Sequence, residues 1–260
     1  MSTRSVVVHP TAEVLATATA ARLLLRLMDL QAVRRPLHVV LTGGTVGIAV
    51  LAEIDTHPLR DAVDWTGVHL WWGDERFLPA GHPDRNETQA REAMIDRLPI
   101  PADQVHAMPS SDSASDPHAA AAEYAVTLAA FAPGDASGGS ASDVSVRGAV
   151  PTFDLVLLGM GPDGHLASLF PGDSALDVTD LTVAGVLHSP KPPPERVTLT
   201  YPTLAAATEL WFVAAGDGKA AAVARALAGD DRHRTPSAAA HGREATRWLI
   251  DLAASGDATG

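Results

Sequence analysis

Short apolar runs alternate with longer amphipathic stretches along almost the whole chain. The runs at residues 5–8, 37–41, 68–72, 153–158, 183–187 and 210–214 read as strands. Several are apolar at nearly every position, as strands covered on both faces are. Between and after them, residues 12–31, 47–54, 87–98, 117–131, 219–228 and 243–254 read as helices. This alternation predicts an α/β fold, with one doubly wound, mostly parallel sheet and helices on both of its faces. Residues 110–116 and 132–150 break the pattern. The second stretch is rich in Gly and Ser and cannot offset the entropy of ordering itself, so it is expected to be a mobile surface loop within a single domain over residues 1–260.

Composition narrows the function. Apolar residues make up 46% of the chain's 260, enough for a sizeable core. There is no cysteine, which removes disulfides, thiolate metal sites and cysteine nucleophiles together. A formal net charge of −12 repels nucleic acid and anionic membranes, so neither is an expected partner. An anionic small molecule remains compatible if cations are concentrated in one pocket. No apolar run is long enough to cross a bilayer, and Met1-Ser-Thr-Arg-Ser does not lead into a signal-type apolar segment, so a cytoplasmic location is expected. Oligomeric state is left open.

Four segments could carry chemistry. Leu41-Thr42-Gly43-Gly44-Thr45-Val46-Gly47 lies between a strand and a helix, where small residues let backbone N–H groups approach an anion and Thr42 and Thr45 add hydroxyls. It fits a plain turn as well, and it matches neither the dinucleotide fingerprint nor Walker A spacing. Gly216-Asp217-Gly218-Lys219 lacks the remaining features of a P-loop and reads as a turn into a helix. Trp72-Gly73-Asp74-Glu75-Arg76 ends a strand in three charged residues, which places them either at the ligand-binding edge of an open sheet or in a solvated loop. After strand 153–158, Gly159-Met160-Gly161-Pro162-Asp163-Gly164-His165 sets a carboxylate two residues from an imidazole. That spacing suits an oriented general base and also a structural loop. Finally, Ser189-Pro190-Lys191-Pro192-Pro193-Pro194-Glu195-Arg196 stiffens a lysine and an arginine five residues apart, as a phosphate clamp or a rigid linker would.

Together with Phe170-Pro171-Gly172 and Arg196-Val197-Thr198, these motifs resemble the 6-phosphogluconolactonase family. The segments 211–227 and 243–251 are similar to its C-terminal part. The resemblance implies a fold shared with glucosamine-6-phosphate deaminases and hydrolysis of 6-phospho-D-glucono-1,5-lactone in the oxidative pentose phosphate pathway. The substrate is then a small sugar-phosphate lactone, with no cofactor and no metal required. It also implies His165 as the base that activates water, with Asp163 beside it. Arg76, Lys191 and Arg196 would hold anionic groups with the Thr42-Gly43-Gly44-Thr45 loop, nearby N–H donors or Arg76 would face the oxyanion, and Asp74 would line the site. Two departures stand out: Thr45-Val46-Gly47 replaces the usual Ser-Thr-Pro, leaving backbone donors for the phosphate, and Arg85 replaces a frequent serine before Asn86. An amino-sugar phosphate deaminase would carry a glutamate where this chain has Phe170, and usually Asp-Glu-Tyr where it has Asp74-Glu75-Arg76. A non-catalytic sugar-phosphate sensor would need a helix-turn-helix or a basic arm, and neither is recognisable.

Overall fold

A computed structural model describes residues 2–133 and 149–256. The chain runs through β1 (Thr3–His9), α1 (Ala12–Gln31), β2 (Leu37–Leu41), α2 (Gly44–Thr56), β3 (Val68–Trp72), β4 (Asp74–Arg76), α3 (Asn86–Ala93) and α4 (Pro117–Ala130). After the gap come β5 (Leu155–Gly159), β6 (Val183–Val186), β7 (Arg196–Leu199), α5 (Tyr201–Ala205), β8 (Glu209–Ala214), α6 (Ala220–Leu227), β9 (Ala245–Asp251) and α7 (Leu252–Ser255). The expected loop at 132–150 falls almost wholly on 134–148, outside the described residues. No helix among the described residues is long and apolar enough to cross a membrane.

Six strands form one parallel sheet in the order β1-β9-β8-β5-β2-β3. β2 is buried at all five positions, so both of its faces are covered, as the apolar run predicts. Local signals set the helix ends. Thr11 accepts a hydrogen bond from Val14 N at the start of α1, and Asp116 accepts two at the start of α4, from His118 and Ala119. A second, antiparallel sheet joins β4, β7 and β6. Gly73 is the junction between the two sheets: its N–H bonds Leu41 O in the main sheet, while its carbonyl accepts from Leu199 N at the end of β7.

The main departure from the sequence reading is at the C-terminus. Residues 243–254, expected as a helix, form β9 and then only one turn of α7. Parallel partners on both sides bury all but one position of Ala245–Asp251, and Thr246, Trp248 and Ile250 suit that covered strand. The flanking alanines resemble helix, but pairing with β1 and β8 prevails. The expected helix 87–98 also stops at Ala93, where Met94 leaves the helical region and a 3-10 turn, Ile95–Arg97, follows. Strand 183–187 belongs to the small sheet rather than the large one.

Chain order fixes the place of the site. From β2 the chain first moves outward to β3, then returns to the opposite side of β2 as β5 and continues to β8 and β9. The loops leaving the carboxyl ends of β2 and β5 therefore diverge, opening a crevice between them.

Candidate active site

The crevice is a cavity of about 540 Å³ lined by the ends of β2, β4, β5, β7 and β8 and the start of α2. Thr42, Gly43, Gly44, Thr45, Asp74, Arg76, His165, Lys191 and Arg196 all line it, so motifs more than 150 residues apart in sequence converge here. Asp163 is not among the lining residues; it stands beside the His165 ring.

On the β2 side, the Thr42 hydroxyl accepts a hydrogen bond from Gly159 N at 3.1 Å and ties the two diverging loops together. Gly43 caps α2 without a side-chain bond, which leaves the helix N-terminus open to an anion. Only glycine fits there, because a Cβ would lie 1.9 Å from Asn86 Oδ1.

On the β5 side, Gly164, at φ +89°, turns the chain back so that Gly161 N reaches His165 O at 3.0 Å. The imidazole folds over Gly161, where a Cβ would meet Nδ1 at 2.0 Å. Asp163 Oδ1 lies 2.5 Å from that Nδ1 and also accepts from His165 N at 3.2 Å. Burial works to raise the Asp163 pKa, but the bonds and charge from His165, with Lys191 nearby, hold the carboxyl well below the usual range. An ionised Asp163 fixes the hydrogen on Nδ1 and leaves Nε2 as the basic nitrogen, with no hydrogen-bond partner among the described residues.

The ring packs against Phe170, with centroids 4.5 Å apart, so an apolar side chain occupies the place where a deaminase carries glutamate. The turn between Leu166 and Leu169 then brings the Ser168 hydroxyl to Asp74 Oδ2 at 2.7 Å.

The cations hold different positions. Arg76 Nη1 donates to Asn86 Oδ1 at 3.2 Å and to Asp84 O, and Asn86 Nδ2 donates to Asp74 O at 2.8 Å. Arg196 directs Nε to Pro193 O and Nη2 to the Lys191 and Pro192 carbonyls, which clamps the proline-rich loop. Its remaining nitrogen, Nη1, lies 3.9 Å from Asp74. Lys191, on the clamped loop, places Nζ 3.3 Å from His165 Nδ1 and 3.8 Å from Asp163 Oδ1.

Among the lining residues without a role in the sequence reading, Asn86 and Lys219 carry polar groups into the site. Asn86 follows the Arg85 departure, but nothing in the sequence shows that α3 begins beneath Gly43. Lys219, read as part of a turn, lines the cavity as well; burial and the charge of Lys191 push its ammonium pKa down. The usable signal is its position just beyond strand 210–214, at the same sheet edge as the other motifs.

Comparison with known proteins agrees with this geometry. The chain is 49% identical over 255 residues to the 6-phosphogluconolactonase of Streptomyces coelicolor, covering 97% of this chain and 94% of that one. It superposes on the 6-phosphogluconolactonase of Trypanosoma brucei with a TM-score of 0.82 at 27% identity, covering 99% of this chain and 100% of the other. It shares the fold alone with a monomeric glucosamine-6-phosphate deaminase, at a TM-score of 0.75 and 18% identity over 96% of this chain and 98% of that one. Residues 10–248 match the family described as glucosamine-6-phosphate isomerases/6-phosphogluconolactonase. The chain belongs to that family, on its 6-phosphogluconolactonase side.

Proposed function

We propose that the chain hydrolyses 6-phospho-D-glucono-1,5-lactone to 6-phosphogluconate, with His165 as general base. The observation that carries this is the Asp163–His165 pair, which presents an unpaired Nε2 to a cavity rich in cations. Nε2 takes a proton from water as the water oxygen bonds the lactone carbonyl carbon. Arg76 or nearby N–H groups face the resulting oxyanion. The intermediate collapses by breaking its bond to the ring oxygen, which leaves as a hydroxyl with the proton that His165 took up. The phosphate rests on the open N-terminus of α2, with Lys191 and Lys219 as counter-charges and Arg196 holding the Lys191 loop. Asp74, tied to Ser168 and Asn86, shapes the wall. We read residues 1–260 as one lactonase domain, supported by a parallel sheet that draws strands from Thr3 to Asp251, and place it in the cytoplasm.

The deaminase reading is disfavoured by Phe170, which packs on His165 at the position where the deaminase motif has a glutamate. Freshly generated 6-phosphogluconolactone and glucosamine 6-phosphate, offered separately, distinguish the two. Enzyme-dependent acid release from the lactone is expected, and ammonia release without it would overturn the proposal.

A further inference from the structure

Glu75 sits between two cavity residues yet does not line the cavity itself. It is 1% exposed, and Oε1 accepts from Arg76 N at 2.8 Å and Asn86 N at 2.7 Å, while Oε2 accepts from Glu87 N at 2.9 Å. Arg85, the N-cap of α3, makes no side-chain cap bond, so a carboxylate from β4 does the capping. The same acceptor fixes the backbone of Arg76 and of Asn86, whose side chains meet in the cavity wall.

Arg85, which stands where the family frequently has serine, is as buried as its neighbour, at 2% exposure. It donates Nη2 to Met108 O at 2.7 Å and Nη1 to Leu78 O at 3.2 Å, and Nη2 lies 3.9 Å from Glu75 Oε2. Its hydrogens thus go mainly to carbonyls, while its charge faces the carboxylate and leaves the Glu75 lone pairs to the three N–H groups. A neutral amide at 75 would turn an NH2 toward at least one of those donors.

We propose that Glu75 and Arg85 are a buried positioning pair, in which Glu75 orients Arg76 toward the lactone, through its own backbone N–H and through Asn86, which accepts from the Arg76 guanidinium, and Arg85 keeps Glu75 an ionised acceptor. This rests on the reading of Arg76 as a substrate-facing group. Burial pushes the Glu75 carboxyl up to about 7, against the pull of Arg85 and the three N–H donors. Arg85 and Glu87 face it from the α3 side, Tyr124 from α4, Arg196 from β7, and Asp74 and Arg76 from its own strand. Glu87 is itself paired with Arg91. Removing the Arg85 charge therefore favours the protonated carboxyl and moves the loss of positioning to higher pH.

The test is a double-mutant cycle on kcat and KM for 6-phosphogluconolactone, with Glu75→Gln, Arg76→Ala and the double variant. Misplacing Arg76 should lower kcat/KM roughly 10–100-fold in Glu75→Gln. In the Arg76→Ala background the same change should cost less than about threefold, because its target is gone. Equal losses in both backgrounds, or none in either, would overturn the pair. An inert Arg76→Ala would instead overturn the role given to Arg76, and the positioning with it, while leaving the lactonase activity standing. Should Glu75→Gln fold poorly, Glu75→Asp, which keeps the charge but withdraws it by one carbon, takes its place in the cycle. In parallel, Arg85→Met should move the acid limb of kcat/KM to higher pH and Arg85→Lys should leave it in place; unchanged limbs in both would refute the role of Arg85.

Discussion

Replacing Asp163 by asparagine tests the catalytic pair at its most informative point, because it keeps the shape and removes the charge. In the wild type one carboxylate oxygen accepts both the His165 ring N–H, at 2.5 Å, and the His165 backbone N–H, at 3.2 Å. If the oxygen of the new side-chain amide takes that place, a charge-assisted bond becomes a neutral one of about half the strength. Hydrogen bonds to charged groups contribute about 1.5–3 kcal/mol, so losing about half of that predicts a loss in kcat of roughly 4–13-fold. If instead the amide nitrogen turns toward Nδ1, the ring hydrogen is forced onto Nε2 and the base is lost, which extends the deficit toward roughly 10²–10⁴-fold. Lys191 acts in the same direction, because its ammonium lies 3.3 Å from Nδ1 and would no longer be balanced by a carboxylate. KM should change little, since Asp163 is not in the cavity lining. The assay is initial-rate acid release from fresh lactone, corrected for spontaneous opening. Because the Asp163 carboxyl lies well below the usual range, the deficit should be constant from mildly acidic to alkaline pH. A kcat within about threefold of wild type, or a loss confined to KM, would refute the assignment.

Lys191→Ala and Lys219→Ala should raise KM for the phosphorylated lactone and leave unphosphorylated gluconolactone nearly unaffected, whereas Arg196→Ala, which frees the loop carrying Lys191, should impair both; parallel kinetics on the two lactones check this. Gly161→Ala should abolish most activity by displacing the His165 ring, which a Cβ would meet at 2.0 Å, and far-UV circular dichroism should show the fold retained. At the far end of β2 and β3, burial first and neighbouring histidine charges second lower the pKa of His38 and His106 to about 4. An unfolded chain takes up protons on these residues near pH 6.5 and the folded chain does not, so their stability contribution is complete above pH 6.5 and lost as pH falls toward 4. Before discounting for solvent screening, this amounts to about 1–2 kcal/mol at about pH 5 for His38, readable as a falling urea midpoint; a flat midpoint between about pH 7 and 5 would count against it.

Much of this arrangement was legible in the sequence because it is written locally. The bounds of α1, β2 and β3 follow from apolar runs and from caps such as Thr11, and the site motifs follow the apolar runs that the sequence marks as strands. What stayed hidden depends on partners distant in sequence. β9 is a strand only because β1 and β8 flank it; alone, its alanine-flanked segment resembles a helix. β4 and β7 are short and become strands by pairing with each other across about 120 residues. Lys219 and Asn86 carry no motif of their own and join the site through the position of the elements that bear them. Arg196 shows the subtler gap: sequence placed it at the site, but only the carbonyls of residues 191–193 reveal that most of its guanidinium is engaged in holding the loop.

These placements also explain how a chain of net charge −12 can attract a phosphate. At physiological salt the exterior field decays over about 8 Å, so a substrate entering the crevice responds mainly to the groups that line it. Those groups are not equivalent. Arg76 and Arg196 are held by carbonyl and amide acceptors, so their charge is fixed in place before substrate arrives. Lys191 and Lys219 are amines, and burial first and the charge of Lys191 second lower the Lys219 pKa. On the proposed reading, a phosphate dianion entering between the α2 N-terminus and these amines offsets that repulsion and favours the Lys219 ammonium. The proposed phosphate subsite and the dyad thus share one charge, because Lys191, on the loop that Arg196 clamps, places Nζ 3.3 Å from His165 Nδ1.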